Sequence, residues 1–280
     1  MIRKLSPAKV NLHLRVLRKR EDGYHDIATL MQRISLYDEM IFSPADHGIT
    51  VNCPGSTLPE NENNIVYRAA DALLSHSSCK PGIHITINKR VPIAAGLGGG
   101  SSNAATALVA INDLMGLHYT TAELMKIGAG IGADVPFFIF GKTAWAFGIG
   151  DRLRTARQVP LIWYVLINPG FEVSTKMIYE NLNLRLTKRV VRYKYPKIYT
   201  VDCLIKGLHN DLEKVTLVHH PILQHLKNLL LQNGALGALM SGSGPTVAGF
   251  FTEEREATKA KEALENVAKK EWSVFIAHSI

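Results

Sequence analysis

Cysteine is scarce in this sequence, and long apolar runs are missing from it. Its 280 residues include three cysteines, Cys53, Cys79 and Cys203, which lie far apart and form no C-x-x-C pair. An odd, scattered set argues against a disulfide framework or a zinc site and suits a reducing cytoplasm. No apolar run is long enough to cross a bilayer, and Met1–Lys4 lacks the apolar region of a secretory signal. We therefore expect a cytoplasmic protein without a membrane partner.

The two best-known glycine-rich nucleotide motifs are also missing. A P-loop has the pattern G-x-x-x-x-G-K-[ST], but the Gly-Lys-Thr at residues 141–143 is preceded by Pro136 where the first glycine should stand. The dinucleotide fingerprint G-x-G-x-x-G fails because Ser101 stands where a third glycine should follow Gly96 and Gly98. These absences exclude both motifs as the basis of any nucleotide binding.

Acidic residues are outnumbered, since 24 Asp and Glu stand against 32 Lys and Arg and leave a net charge of +8. This balance fits a protein that handles polyanions, either a nucleic acid or a nucleotide together with a diphosphate substrate. Residues 185–197 hold six of the basic residues, interleaved with Tyr193 and Tyr195. A solvated loop and strand is the favoured interpretation of this segment, and a nucleic-acid-binding stripe is the alternative.

The most informative feature present is a glycine-rich loop between a strand and a helix. Ile83–Lys89 alternates apolar and polar residues as a strand does, and residues 92–105 follow with the sequence PIAAGLGGGSSNAA. The apolar positions beyond Ser101 fall on one helical stripe, with Ser101 or Ser102 as the expected N-cap. Glycines let a backbone approach an anion closely, and a helix N-terminus adds positive potential, so this arrangement predicts a phosphate site.

The rest of the pattern predicts mixed α and β structure without internal repeats or low-complexity linkers. Alternation over Val10–Val16, a polar turn at Glu21–Gly23 and a run at Ile27–Leu36 indicate N-terminal strands. The predicted helices are 66–74, one opened by the capping box of Thr120 and Glu123, 222–233 and 253–268. The further predicted strands are 135–140, 162–167, 247–251 and 272–277. Without regular β-α alternation the fold class is α+β, with a lobe boundary near 152–159.

Three segments of the chain resemble the three motifs of the GHMP kinases. They are Ser6–Leu12, Pro92–Ser102 and Met240–Thr246. The resemblance implies a two-lobe α+β kinase with its active site in the cleft between lobes, using ATP and Mg²⁺. It also implies an ATP-binding and catalytic lobe at 1–155 and a substrate-binding lobe at 156–280. Further segments are similar to a member of this family that phosphorylates a hydroxyl of a cytidine-diphosphate methylerythritol: 22–25, 132–137 and 210–213.

The resemblance implies site residues at matching positions. Asp134 would be the base and Lys9 its electrostatic partner, with Asn11 on the face of the strand that carries Lys9. Taken alone, the residues favour an aspartate bonded to local backbone at a helix end for Asp134 and a solvated lysine of an edge strand for Lys9, and the resemblance reverses this preference. The nucleotide-binding residues would be Pro92, Ile93, Ala94, Ala95, Gly96, Leu97, Gly98, Gly99, Gly100, Ser101 and Ser102.

The resemblance also places the cytosine of the substrate on Tyr24, His25 and Tyr179. A base needs a flat face for stacking, here Tyr179, and a hydrogen-bonding group for its edge, here His25. A Tyr-His pair in a turn and a tyrosine on a helix surface are the plain alternatives. The glycine-rich loop at 241–246 would close over phosphates or be an ordinary turn before a strand.

Two other functions remain open from the sequence. A GHMP kinase of the homoserine or mevalonate type would not need the Asp22–His25 segment, and a non-catalytic basic domain that binds RNA would not need Lys9 or Asp134. We expect no nucleic-acid partner. The metal ligands and the oligomeric state, monomer or homodimer, are left undetermined.

Overall fold

The computed structural model describes residues 1–75, 82–182 and 193–280, and these residues form an α+β fold. Cys79 and positions 185–192 of the basic segment lie outside the described residues. The strands are β1 Ile2–Lys19, β2 His25–Ala45, β3 Ile49–Asn52, β4 Gly82–Asn88, β5 Ala144–Gly148, β6 Arg152–Thr155, β7 Trp163–Asn168, β8 His209–Asn210, β9 Gly237–Met240, β10 Val247–Phe251 and β11 Ser273–His278. The helices are α1 Ile65–Leu74, α2 Gly99–Met115, α3 Thr121–Ala129, α4 Val135–Phe140, α5 Thr175–Glu180, α6 Val201–Gly207, α7 Glu213–His219, α8 Ile222–Gln232 and α9 Glu254–Val267.

The chain folds into two compact units that are interleaved in sequence. Unit 1 comprises Met1–Ala8, Tyr37–Pro92 and Gly98–Lys142. Unit 2 comprises Lys9–Leu36, Ile93–Leu97 and Thr143–Ile280. The long strands β1 and β2 therefore contribute residues to both units.

Unit 1 packs helices against a small sheet. Strand β4 pairs in parallel with β3 and antiparallel with the Glu39–Ala45 part of β2. The sheet buries Ile83, Ile85 and Ile87, while α1 and α2 pack on each other through their apolar faces. Helix α1 starts as predicted, with Asn64 as its N-cap, and the capping box of Thr120 and Glu123 opens α3.

The start of α2 differs from the prediction. Ser101 and Ser102 were expected to cap this helix, but the cap is Gly98, at φ +69°, and the two serines lie inside the first turn. A glycine reaches this left-handed conformation without the steric cost that a side chain adds, so the loop turns into the helix earlier than the serines suggest. The helix consequently begins within the run of glycines.

The run Val135–Phe140 is a helix and not the predicted strand. Its residues are almost all buried, so the run shows no polar face that would reveal a helical period. Pro136 lies in the first turn, where its missing N–H costs no hydrogen bond, and Gly141 ends the helix at φ +71°. The proline and the closing glycine were the signals that favoured a helix.

Unit 2 joins a β-hairpin to a four-stranded antiparallel sheet. The β1–β2 hairpin turns at 21–23, and in this unit β2 pairs with β5, β5 with β6, and β1 with β8. The second sheet has the order β11-β7-β10-β9. A core that includes Leu14, Val165, Leu226 and Leu264 lies between this sheet, the hairpin and the helices α8 and α9. In the described chain, no helix is both long and apolar enough to traverse a bilayer.

Candidate active site

Lys9 of β1 is buried, and its ammonium group bonds to Asn11 and to the glycine-rich loop. The residue is only 3% exposed to solvent. Its ammonium group donates hydrogen bonds to Asn11 Oδ1 at 2.5 Å and to the carbonyl oxygen of Gly96 at 2.9 Å. The Lys9 amide also donates to the carbonyl of Leu97 at 2.9 Å. Lys9 is therefore not the solvated edge lysine that was the alternative, because it pins the glycine-rich loop to β1.

Asn11 connects the same loop to the loop that precedes β10. Its side-chain amide donates to Thr29 Oγ1 at 2.8 Å, and its backbone amide donates to Ser241 Oγ at 3.3 Å. Ser241 Oγ donates in turn to the carbonyl of Gly96 at 3.0 Å. Within unit 2, the first motif, the start of the second and the third are therefore joined by hydrogen bonds around Gly96.

Gly96 is a position where any side chain would collide. Its φ is +75°, and a Cβ atom placed on it would lie 2.1 Å from the Ser241 carbonyl oxygen. Two residues earlier, Ala94 has φ +51° although it is not a glycine. A left-handed alanine stores roughly 1 kcal/mol of backbone strain, so this half of the loop is stiffer and less relaxed than a glycine-rich one.

The 240–246 loop is fixed by polar side chains beneath it. Asn210 of β8 donates through its amide to the carbonyls of Met240 and Gly242, at 2.8 Å each. Asn168 at the end of β7 donates to Thr246 Oγ1 at 3.0 Å. These bonds make the loop an organised platform and not a plain turn before a strand.

In unit 1, the N-terminus of α2 stands on a buried polar network. Ser6 Oγ donates to Ser102 Oγ at 2.8 Å and accepts from the side-chain amide of Asn103 at 2.9 Å. Asn103 also donates to Asp38 Oδ2 at 2.9 Å, and Lys89 forms a salt bridge with the same carboxylate. Asp38 is fully buried, and its other oxygen accepts from the amides of residues 90 and 91.

This network leaves the first turn of α2 available to an anion. The first amides of a helix lack partners within the helix and carry the positive end of its dipole. The first turn of α2 contains no acidic residue, and no side chain caps it. Gly99 is closely packed, since a Cβ there would lie 3.0 Å from Val91 Cγ1. The arrangement suits a phosphate group at the helix start.

Asp134 belongs to unit 1 and lies at the N-cap position of α4. Its carboxylate makes no capping hydrogen bond to that helix. Gly132 places this segment beside the start of α2, because a Cβ at Gly132 would lie 3.7 Å from Ser101 Oγ. Gly128 of α3 permits the close approach of Val135, whose Cγ1 lies 2.7 Å from a Cβ built there. The two glycines thus let the segment that carries Asp134 pack closely against the start of α2 and against α3.

His25 and Tyr179 are brought together, and Tyr24 is not. The rings of His25 and Tyr179 lie 5.1 Å apart between centroids, tilted by 31°. Tyr24 is 61% exposed in the turn and makes no ring contact with another described residue. Burial lowers the pKa of His25, and the nearby Lys19 charge lowers it further, so the imidazole is neutral at pH 7. A neutral imidazole offers one donor and one acceptor.

Several residues of these networks were not predicted. Thr29 and Asp38 lie in β2, whose sequence is that of a largely apolar strand. Both are buried, and a polar residue in such a strand is the one signal that could have drawn attention to them. Asn210 stood within a recognised segment but had no assigned contact. Their partners are distant in sequence, so spacing alone could not identify them.

The chain matches the models for the N-terminal domain of GHMP kinases at residues 64–142 and for their C-terminal domain at 200–270. It is 60% identical over 280 residues, the whole of both chains, to the 4-diphosphocytidyl-2-C-methyl-D-erythritol kinase of Syntrophus aciditrophicus. The chain belongs to the 4-diphosphocytidyl-2-C-methyl-D-erythritol kinases, within the GHMP kinases. It is therefore an ATP-dependent small-molecule kinase, as predicted, and the alternative of a non-catalytic domain is wrong.

Other relatives agree with this family. The kinase of the same name from Geobacter sulfurreducens is 50% identical over 261 residues, which cover 92% of this chain and 93% of the relative. A crystal structure of 4-(cytidine 5'-diphospho)-2C-methyl-D-erythritol kinase aligns with a TM-score of 0.83 and 32% identity, covering 99% of both chains. The mevalonate kinase of Methanococcus jannaschii aligns with a TM-score of 0.72 at 14% identity, covering 100% of this chain and 98% of the other, and shares the fold.

Proposed function

We propose that this kinase transfers the γ-phosphoryl group of ATP to a hydroxyl of 4-diphosphocytidyl-2-C-methyl-D-erythritol, in the non-mevalonate synthesis of isoprenoid precursors. Relatives that carry this name match the chain over its full length. The observation that carries the choice of substrate is the contact between His25 and Tyr179, which pairs an aromatic face with a hydrogen-bonding ring. A cytosine needs both, whereas homoserine and mevalonate contain no base.

Lys9 and Asp134 are proposed to act on the hydroxyl and the migrating phosphoryl group. Phosphoryl transfer depends on positioning, on charge neutralisation and on a group that receives or orients the hydroxyl proton. Asp134 would take that last role. The Lys9 ammonium, held in place by Asn11 Oδ1 and the Gly96 carbonyl, would keep Asp134 ionised and offset developing negative charge.

The nucleotide phosphates are proposed to lie on residues 92–102. The first amides of α2 and the glycine backbone around Gly98 supply donors for them, and the network of Ser6, Asn103 and Asp38 supports the helix start. The loop at 241–246 supports the other half of this segment through the bond from Ser241 to Gly96.

Magnesium is proposed to enter with ATP. Mg²⁺ prefers oxygen ligands, keeps several waters and is commonly held by one or two carboxylates together with substrate phosphates. The described residues contain no cluster of three or more His, Cys, Asp or Glu side chains that would form a protein cage for a metal. This chemistry fits a nucleotide-borne ion, for which Asp134 and the Ser101 hydroxyl would supply oxygen donors, and the ion would neutralise phosphate charge.

The substrate is proposed to bind through His25, Tyr179 and Asn11, with Tyr24 free to close over the base from its exposed turn. On this assignment residues 1–155 carry ATP binding and catalysis, and residues 156–280 contribute to substrate binding. We also propose a cytoplasmic location and no nucleic-acid partner, since a nucleotide and a diphosphate substrate account for the positive charge.

A coupled assay of ADP release tests the proposal. The wild-type chain is given ATP and Mg²⁺ with the cytidine-diphosphate substrate, with homoserine or with mevalonate, and Asp134→Asn serves as the inactive control. Turnover of the cytidine-diphosphate substrate alone is the expected result. Turnover of homoserine or mevalonate at a comparable kcat/KM would reject the assigned substrate while leaving the kinase family intact.

A further inference from the structure

A cavity of about 540 Å³ in unit 2 has no part in the reaction proposed above. Its wall is formed by residues from β1, β2, β5, β6 and the segment after residue 192. The wall includes three arginines and three aromatic residues: Arg18, Arg152, Arg154, Phe147, Tyr193 and Tyr195. Pockets of roughly 300–1,000 Å³ hold small organic ligands, so the volume is sufficient for one.

Phe147 and Arg152, two residues of the cavity wall, lie on the face of the sheet opposite His25. Directly opposed residues of paired strands share a face, and successive residues alternate between faces. Ala28 opposes Phe147, and Phe147 opposes Arg152, so these residues share one face. His25 differs from Ala28 by an odd number of positions along β2, and its ring packs on Tyr179. The cavity also includes the opposed pair Ile27 and Gly148, near the ends of β2 and β5.

Two of the three arginines in the cavity wall, Arg152 and Arg154, form no salt bridge in the part of the chain that the structure describes. Both of these arginines are exposed. The acidic residue in the wall, Asp26, is already paired with Arg18 and with Arg20. Arg152 and Arg154 therefore offer N–H donors that no carboxylate uses. Such donors suit phosphate oxygens, which guanidinium groups bind with two parallel hydrogen bonds.

Aromatic rings line the same cavity. Tyr195 lies 4.9 Å from Trp145 and 5.6 Å from Phe147 between ring centroids, and it remains 39% exposed. The guanidinium of Arg154 lies 5.8 Å from the centre of the Phe147 ring. Tyr193 is anchored by its hydroxyl, 2.7 Å from His13 Nε2. The tyrosines of the basic segment, which sequence analysis took to be solvated, are therefore turned onto the sheet.

We propose that this cavity binds a nucleoside phosphate, with its phosphate on Arg152 and Arg154 and its base against Tyr195. An exposed aromatic face beside two unpaired guanidinium groups matches the two parts of such a ligand. A single nucleotide is favoured over an RNA strand because the arginines and rings converge on one cavity of limited volume, whereas the neighbouring Lys194 is not part of its wall.

Calorimetric titration with AMP tests the site in the full chain. AMP is titrated without and with a non-hydrolysable ATP analogue and Mg²⁺, the analogue being kept at the lowest concentration that fills the ATP site, so that the remaining AMP binding reports on another site. We expect Arg152→Ala/Arg154→Ala to weaken AMP binding by at least about 10-fold and Tyr195→Ala by roughly 5-fold or more. The matched control, Arg255→Ala/Lys259→Ala, removes the same charge from the exposed face of α9 and should leave AMP affinity unchanged.

The variant Tyr179→Ala separates this site from the one proposed for cytosine. If AMP occupies the cavity, Tyr179→Ala retains wild-type affinity and adenosine, which lacks the phosphate, binds more weakly than AMP. Retained affinity in the double arginine variant overturns the proposal, as does an absence of AMP binding up to about 5 mM. Binding of a single-stranded RNA without binding of AMP also overturns it. Unchanged thermal unfolding of the variants shows that the fold is intact.

Discussion

Lys9 is a buried basic residue whose ammonium group is fixed in position by hydrogen bonds. Asn11 Oδ1 and the Gly96 carbonyl fix its ammonium group, so little conformational freedom is lost when it acts on a phosphoryl group. A fixed charge of this kind acts most strongly on charge that develops during a reaction.

We expect Lys9→Met and Asp134→Asn each to lower kcat by at least about 100-fold, the usual scale for acid–base and electrostatic groups. The control is Lys4→Met, which removes a half-exposed lysine from the same strand and should leave kcat unchanged. Steady-state kinetics of ADP release measures the effect. Because Lys9 is buried, thermal unfolding is used to find the folded fraction of its variant, and kcat is compared per folded molecule. A near-normal kcat in either variant would contradict the assigned role.

The contact between His25 and Tyr179 predicts a separation of two binding functions. Stacking of a base on an aromatic ring is worth about 1–3 kcal/mol, so Tyr179→Ala should raise the substrate KM by roughly 5- to 150-fold, whereas Tyr179→Phe keeps the ring and should be mild. His25→Ala should instead reduce the preference for the cytidine over the uridine form, because a hydrogen bond to the edge reads the identity of the base.

The measurement is KM for both analogues in each variant, with ATP saturating. Tyr199→Ala, an exposed tyrosine elsewhere in the chain, is the matched control. Equal losses for the two analogues in His25→Ala would remove His25 from the reading role. An unchanged KM in Tyr179→Ala would transfer the stacking role to Tyr24.

At the scale of elements, Gly96 controls how closely two loops approach each other. In Gly96→Ala, the new Cβ atom would lie 2.1 Å from the Ser241 carbonyl oxygen. The alanine would also have to adopt the left-handed backbone conformation of Gly96, which adds strain. We expect a loss of about 2–5 kcal/mol in the free energy of unfolding. Gly55→Ala is the control, because Gly55 has φ +71° with open space around it and should lose only about 1 kcal/mol. Denaturant unfolding measures both, and equal losses would show that contact with Ser241 is unimportant.

Most elements could be predicted from the sequence where local signals agree. The amphipathic stripes of α8 and α9 and the capping box of α3 were sufficient, because periodicity and caps act over a few residues. Two predictions failed. Val135–Phe140 is too short and too uniformly apolar for its period to be read, and the cap at Gly98 depends on a backbone angle that its sequence neighbours do not reveal.

The candidate site was predictable in its motifs and not in its connections. Lys9, Asn11 and Ser241 stood in recognised segments, yet the bonds of Lys9 and Ser241 to Gly96 span 87 and 145 positions along the chain, and the bond between Asn11 and Ser241 spans 230. The same holds for Asp38, which is buried under α2 but looks like any polar residue of a strand. Tertiary pairing decides such contacts, and a single sequence contains no direct record of it.

At the scale of the whole molecule, buried histidine makes stability depend on pH. Burial lowers the pKa of His13, which sits near His209, Arg15, Asp211 and Tyr193. The unfolded chain binds more protons than the folded chain once the pH falls below about 6.5, so the free energy of unfolding decreases from there downward. His25 acts in the same direction. Asp211 acts at lower pH: burial raises its pKa, but hydrogen bonds from His209, the Val16 amide and Lys214 lower it overall.

We therefore expect His13→Gln to flatten the decline in stability between pH 7 and pH 5.5, by on the order of 1 kcal/mol. The control is His219→Gln, at an exposed position that should leave the slope unchanged. Denaturant unfolding at several pH values gives the comparison. A slope that is identical in wild type and His13→Gln would show that His13 does not carry the proton uptake.

The interleaving of the two units has a consequence for how the protein is made. Residues 9–36 leave the ribosome early, but they belong to unit 2, whose remaining segments, 93–97 and 143–280, are synthesised later. A fragment that stopped at Lys142 would contain all of unit 1 together with a strand hairpin lacking β5 and β8, its partners in unit 2. Exposed strand edges of this kind invite aggregation. No single cut of the gene yields the two units as separate products, so nascent chains depend on reaching full length quickly or on protection until they do.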